Sequence, residues 1–565
     1  MKKIIALGFA LLGSAGSLTT VSLTVASLTV VSLNVQAQTP SGTTDPVTDS
    51  AAESVTVEWD RTAAKYGKTI TQKDAKAHLS ILASDEFEGR NTGEKGGKLT
   101  REYIAAHFEK LGLEGPVDGS YFQKVDLVRQ HINNKVFVAG GDSLEFLKDY
   151  LFFPDLQRLE LDAPGLVFAG YGIEDENYSD YHGLDVSGKV VMILPGEPFD
   201  SDSNSYVSGT REFSEWTTNQ EKKLELLKEK GAATIIMVTK SVATYAKNYR
   251  DYFTGSSMKL RSDLENQEEK PELLYVSPET AGRLLRPASL SLQSLQKSIA
   301  GSGEAASKEI EIPLHIRIDR RSEPIDASNV LGYLEGSDPA LKDELIVLTA
   351  HHDHEGIKDG KIYNGADDDG SGTTAVLEMA EAFAKAAKAG KGPRRSLLFM
   401  TVTAEEKGLL GSRYYSENPI FPLENTITNL NIDMIGRVDT VHEENPDYVY
   451  IIGSDKLSTQ LHAINDQANA TYTKLELDYT FNEPDDPNRF YYRSDHYNFA
   501  KHGIPIIFYF NGVHEDYHKH TDDVEKINFE ALTQRARLVF HTAWELANRD
   551  QRPEVDVEND FPSDR

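Results

Sequence analysis

The stretch from Glu344 to Gly372 constrains the fold more than any other part of the 565-residue chain. Its apolar run Glu344-Leu-Ile-Val-Leu-Thr349, bounded by polar residues, has the pattern of a buried parallel strand. His351, His352, Asp353 and His354 follow directly. A spacer then leads to Asp367-Asp368-Asp369-Gly370-Ser371-Gly372, and a helical pattern begins near Thr373. Imidazoles at a strand's end and carboxylates at the next helix's start both fall on the carboxyl edge of a sheet. Open α/β folds collect their ligands there. So many acids side by side repel one another unless a cation compensates them.

Strand and helix patterns then alternate. Strands are expected at Val330–Leu334, Glu344–Thr349, Ser396–Thr403, Ile427–Asp433 and Ile504–Phe510. Helices are expected at about Thr373–Lys388, Ser458–Ala468 and Phe529–Asn548. This alternation predicts a doubly wound, mostly parallel α/β sheet. Later strands carry further acids and imidazoles to the same edge: Glu405 and Glu406, Asp433, and the loop 511–523 with His514, His518 and His520. Together they predict a metal site. Carboxylate with imidazole suits zinc, and manganese or cobalt less well. The chain has no cysteine, so thiolate ligands and disulfides are excluded. Five ligands with one bridging carboxylate would serve two metals about 3.5–4 Å apart. One glutamate of the adjacent pair would then be free to act as a base.

The upstream chain reads differently. Lys2-Lys3, an apolar stretch and Val35-Gln36-Ala37 predict a signal peptide over 1–37, hence export to the periplasm or outside the cell. No stable membrane insertion is expected after its cleavage at Ala37, and a retained anchor is the alternative reading. Residues 38–67 read as a flexible leader rich in Thr, Ser, Asp and Pro. Thr71-Gln72-Lys73-Asp74 has the pattern of a capping box, and a second helix is expected over about 97–111. Residues 68–135 and 317–550 would form one discontinuous domain. The segment 136–316 would be a β-rich insertion with a helix or two, and 551–565 a disordered acidic tail. A formal net charge of −30 argues against a nucleic-acid partner.

The order His-x-Asp, Asp-Asp-Gly-Ser-Gly, Glu-Glu, strand-end Asp and Tyr-His-x-x-x-Asp resembles the bacterial co-catalytic two-zinc aminopeptidases. Ala83-Ser-Asp-Glu-Phe-Glu-Gly-Arg-Asn-Thr-Gly93 matches an early segment of that family, and the insertion resembles a protease-associated domain. The resemblance implies two zinc ions per chain. His351 and Asp433 would hold one, Glu406 and His518 the other, with Asp368 bridging. Glu405 would be the general base toward a two-metal-activated water, and Tyr517 a stabiliser of the oxyanion. Asp353 would orient His351 from behind, and Asp368-Asp369 would carry the family's cis peptide. His520 stands where many relatives have Pro. The expected substrates are peptides with a free N-terminus. A glutaminyl-peptide cyclase, which keeps one zinc, and a non-catalytic receptor-like relative, which loses ligands, are the alternatives. The complete ligand set favours the peptidase.

Overall fold

The computed structural model describes residues 55–266 and 270–558. The predicted signal peptide and most of the leader lie outside that range. The chain forms two compact units, one of 134–253 and 270–319, the other of 55–133, 254–266 and 320–558.

The second unit is built on a mixed sheet. Its strands are β1 (Leu345–His351), β2 (Ser396–Val402), β3 (Thr426–Ile432), β4 (Tyr448–Ile452) and β5 (Ile506–Phe510). In space β2, β1, β3 and β5 run side by side and parallel. The segment Val330–Leu334 pairs antiparallel with β2, and β4 pairs antiparallel with β5. All five labelled strands are buried along their whole length, as strands covered on both faces must be. Four helices matter for the site and its surroundings: α1 (Gln72–Leu82), α2 (Lys95–Leu111), α3 (Gly370–Lys388) and α4 (Phe529–Asn548). Phe383 of α3 stacks with Phe540 and Trp544 of α4 above the sheet core.

The structure departs from the sequence-based expectations at several places. The strand β4 was not expected, although Tyr-Val-Tyr-Ile-Ile is a run of five β-formers. The part of the leader from residue 55 on is folded. Asp60 caps a short helix, Arg61–Gly67, and its other oxygen accepts from the Trp544 indole at 2.9 Å. Thr71 does cap α1 by accepting from the Asp74 N–H. The reciprocal bond of a capping box is missing, because the Thr71 N–H goes to Glu378 at 3.2 Å. The tail is not free as far as it is described. Asp556 accepts from the Thr459 N–H at 2.8 Å and so serves the exposed start of the helix Thr459–Ala468.

In the first unit Arg158–Phe168, Val190–Ile193, Thr234–Val238 and Glu272–Val276 run parallel in that order, with residues 308–319 antiparallel against the first. This unit is therefore less β-rich than expected, carrying helices at Glu221–Glu229, Val242–Asn248, Pro278–Leu285 and Leu292–Ser302. Parallel neighbours need crossover connections, and several of these helices supply them.

Candidate metal centre

The parallel register places the strand ends level: His351 of β1 lies opposite Val402 of β2, and Thr349 opposite Asn431 of β3. His351 closes β1, Asp433 follows β3 directly, and Glu405-Glu406 sit in the turn after β2. His518 comes from the loop after β5, and Asp368 from the turn before α3. Five donors far apart in sequence thus meet at one edge.

They form two triads that share one carboxylate. His351 Nε2 is 3.3 Å from Asp368 Oδ1 and 3.6 Å from Asp433 Oδ1. His518 Nε2 is 3.1 Å from Asp368 Oδ2 and 3.3 Å from Glu406 Oε2. Metal–donor bonds of 2.0–2.1 Å in a tetrahedron put donors about 3.3 Å apart, so both triads have the spacing of ligands around an ion. Asp368 Oδ2 and Glu406 Oε1 are buried without a hydrogen-bond partner. Buried ionised oxygens left in that state are costly, and a cation removes the cost. The residues present therefore fit zinc.

His354, which its place in the sequence does not separate from His352 and His514, joins this group. Its Nδ1 lies 2.8 Å from Glu406 Oε1 and 3.8 Å from Asp368 Oδ2, and neither ring nitrogen makes a hydrogen bond. The other nearby histidines turn elsewhere. His352 approaches the Thr401 hydroxyl at 3.2 Å, His514 the Asp367 carboxylate at 3.1 Å, and His520 the Lys361 amine at 3.0 Å.

A second layer of carboxylates fixes the backbone of these turns. Asp369 caps α3 by accepting from the Gly372 N–H at 2.9 Å, and it also accepts from Met434 at 3.0 Å and His351 at 3.1 Å. It thereby ties β1, β3 and α3 together. The Asp368–Asp369 peptide bond is cis. The His351 Nδ1 lies 3.0 Å from the Asp353 backbone carbonyl, whereas the Asp353 carboxylate is 4.0 Å away. That carboxylate accepts instead from the Glu405 N–H at 3.1 Å and the Thr92 hydroxyl at 3.0 Å. Asp353 thus orients His351 through its main chain and Glu405 through its side chain.

Three supporting residues were given no role from the sequence, although Asp522 closes the Tyr-His-x-x-x-Asp motif. Arg90, 1 % exposed, donates to the carbonyls of Leu82, His352, Asn364 and Gly365 at 2.6–3.0 Å. The Thr92 hydroxyl accepts from the Ala404 N–H at 3.1 Å. Asp522 accepts from the N–H groups of Asp367 and Asp368 at 2.9 and 3.2 Å. Arg90 and Thr92 lie inside the matched segment 83–93, but a polar motif shows nothing of which carbonyls it will meet.

The electrostatics separate the two adjacent glutamates. Burial pushes the Glu405 carboxyl well above the usual range; the nearby His351 opposes this, while Asp495, Glu406 and Asp433 add to it. Burial also acts on Glu406, but the Asp368 charge that reinforces it is outweighed by His354 and His518, and the net shift is downward. Glu405 therefore holds a proton readily and Glu406 stays ionised. Asp495, fully buried, is pushed up to about 7 by burial, against the pull of His351. Tyr517 stacks on the His518 ring at 4.0 Å, and its hydroxyl is 3.4 Å from Arg493 Nη2.

A mixed α/β sheet with two imidazole–carboxylate triads at its carboxyl edge can hold divalent ions where open α/β folds collect their ligands. Residues 329–543 match the family model described as peptidase family M28. A probable leucine aminopeptidase of Arthroderma otae is 30 % identical over 216 residues, covering 37 % of this chain and 56 % of the relative. A probable zinc metalloprotease of Pyrenophora tritici-repentis is 26 % identical over 305 residues, covering 46 % and 59 %. The chain thus spans somewhat over half the length of these curated relatives. Among solved structures, an aminopeptidase from Aneurinibacillus sp. strain AM-1 is 17 % identical, covering 88 % of this chain and 98 % of that one, with a TM-score of 0.49.

Proposed function

We propose that the protein is a zinc-dependent aminopeptidase that hydrolyses N-terminal residues from peptides, with two zinc ions per chain at the strand-end centre. The observation that carries this reading is the pair of triads sharing Asp368, with Glu405 beside them and outside both. When bound, zinc supplies Lewis-acid polarisation of the water and the scissile carbonyl. The chain's own residues do the rest. Glu405, 3.9 Å from His351 Nε2 and held through its N–H by Asp353, receives the proton of the attacking water and passes it to the leaving amine. The Tyr517 hydroxyl donates to the developing oxyanion, steadied by Arg493.

The carboxylate-rich walls suit a free α-ammonium. A C-terminal carboxylate would need cations, and the two arginines nearest in sequence are engaged. Arg437 pairs with Asp516 at 3.1 Å, and Arg493 lies over the Phe490 ring beside Tyr517. The unit containing 134–253 and 270–319 serves as a protease-associated domain, and the protein works after export, in the periplasm or outside the cell. That part of the reading rests on the N-terminal sequence pattern. Among the described residues no helix is long and apolar enough to cross a membrane.

The test is hydrolysis of leucyl and other aminoacyl chromogenic substrates, free and N-acetylated, with and without chelator. The free substrates should turn over, chelation should abolish turnover, and acetylation should cost ten- to a hundredfold or more in kcat/KM, the usual worth of a charge-assisted hydrogen bond. Equal turnover of free and acetylated substrates would reject the aminopeptidase assignment. One zinc at the centre, with cyclisation of N-terminal Gln, would put the cyclase in its place.

A further inference from the structure

A second imidazole–carboxylate group lies away from the strand ends. His78 of α1, His107 of α2 and Glu381 of α3 each present a donor atom, all within 4.8 Å of one another. Glu378 sits one turn before Glu381 on the same face of α3. Its Oε1 is 3.8 Å from His78 Nε2, too far for a hydrogen bond. Two buried atoms of this group have no partner: Oε1 of Glu378, 3 % exposed, and Nε2 of His107, 9 % exposed. Their companion atoms are all fixed. Glu378 Oε2 accepts from the Thr71 N–H at 3.2 Å, His107 also bonds the backbone at Leu377, and His78 Nδ1 meets the Tyr103 hydroxyl at 2.7 Å.

We propose that His78, His107 and Glu381, with Glu378 as fourth donor, form a separate site for zinc or a similar divalent ion, one that ties α1 and α2 to α3. Two neutral imidazoles with carboxylate oxygens suit that ion class. Tyr103 fixes the His78 ring from behind, as the outer partners of metal-bound histidines do. Burial lowers both imidazoles, His107 to about 4, so they are deprotonated and ready as ligands near neutrality. Glu381 now contacts the exposed Lys385 amine, a surface pair that yields easily to an ion. Glu381 lies twelve residues beyond Asp369 along the helix, about 18 Å at the α-helical rise, so the site is distinct from the strand-end centre.

The experiment is equilibrium dialysis of the full chain against zinc with elemental analysis, for wild type, His107→Gln and Glu381→Gln. Each variant should saturate at one zinc fewer per chain than wild type and should lose part of the zinc-dependent rise in thermal midpoint. Hydrolysis of the leucyl substrate should persist. Because the readout is a difference, it stands whatever the strand-end centre holds. Should His107→Gln fail to fold, Glu381→Gln carries the test, its side chain being 27 % exposed. Equal zinc content in wild type and the folded variants would overturn the proposal.

Discussion

At the scale of single residues, Glu405 and Glu406 are neighbours in sequence with opposite chemistry. Glu406 faces His354 and His518, while Glu405 lies in a buried corner among other carboxylates. Glu405→Gln should therefore leave zinc content nearly unchanged while kcat falls by ~10²–10⁴, the usual worth of a positioned base. Glu406→Gln should release zinc from one triad. Metal analysis of the two variants decides between the roles, and the opposite pattern would exchange them. Arg90 has no part in the chemistry, yet its fork satisfies carbonyls on three turns around the centre. Arg90→Lys keeps the charge but cannot span those acceptors. Each carbonyl left unpaired costs about 1–3 kcal/mol, so a clear drop in the urea midpoint is expected together with weaker zinc binding. An unchanged midpoint would mean that water fills the gap.

At the scale of elements, glycine positions separate close approach from mere exposure. A Cβ on Gly372, in the first turn of α3, would lie 2.4 Å from Asp369 Oδ1 and 2.6 Å from the Ile432 carbonyl. Neither atom can retreat, because Asp369 braces three backbone N–H groups and Ile432 closes β3. Gly372→Ala should thus destabilise the fold and loosen the metal centre. Gly282, in the helix Pro278–Leu285, meets nothing within 4 Å. Gly282→Ala should stabilise its unit by about 0.5–1 kcal/mol, the cost of glycine in a helix interior. Denaturant melts of the two variants should move in opposite directions. If both moved down, the helix around Gly282 would have to be more crowded than its surroundings indicate.

At the scale of the whole molecule, buried imidazoles set the acid limit. Burial lowers both His496 and His541 to about 3. A group whose folded pKa is depressed below its unfolded value of 6.5 binds more protons when unfolded. Its stabilising contribution is intact above pH 6.5 and is lost as pH falls toward 3. Between pH 6.5 and 4.5 each histidine should cost about 2–3 kcal/mol. Urea unfolding in chelator across that range, with proton uptake measured alongside, checks this. In His541→Phe the pH slope should be shallower, and an equal slope would remove His541 from the account.

The alternation of strand and helix patterns after Val330 was enough to define the parallel sheet, because buried strands must be continuously apolar and each needs a crossover. It was enough to set the site's edge as well. His351, Glu405, Glu406 and Asp433 stand just beyond apolar runs, Asp368 in the turn before α3 and His518 in the loop after β5, and parallel strands end on one side. The strand β4 carried the same signal in weaker form, as a short run behind a loop. Which histidine turns toward the carboxylates was decided only by the tertiary structure. His352, His354, His514 and His520 are indistinguishable by spacing, and only His354 meets Glu406. Nor could sequence show that Arg90 lies inside a cage of carbonyls, or that His78, His107, Glu378 and Glu381 converge. A ligand set drawn from successive strand ends is written in the period of the sheet, whereas contacts between helices remote in sequence depend on how the packed core rotates each helix about its axis.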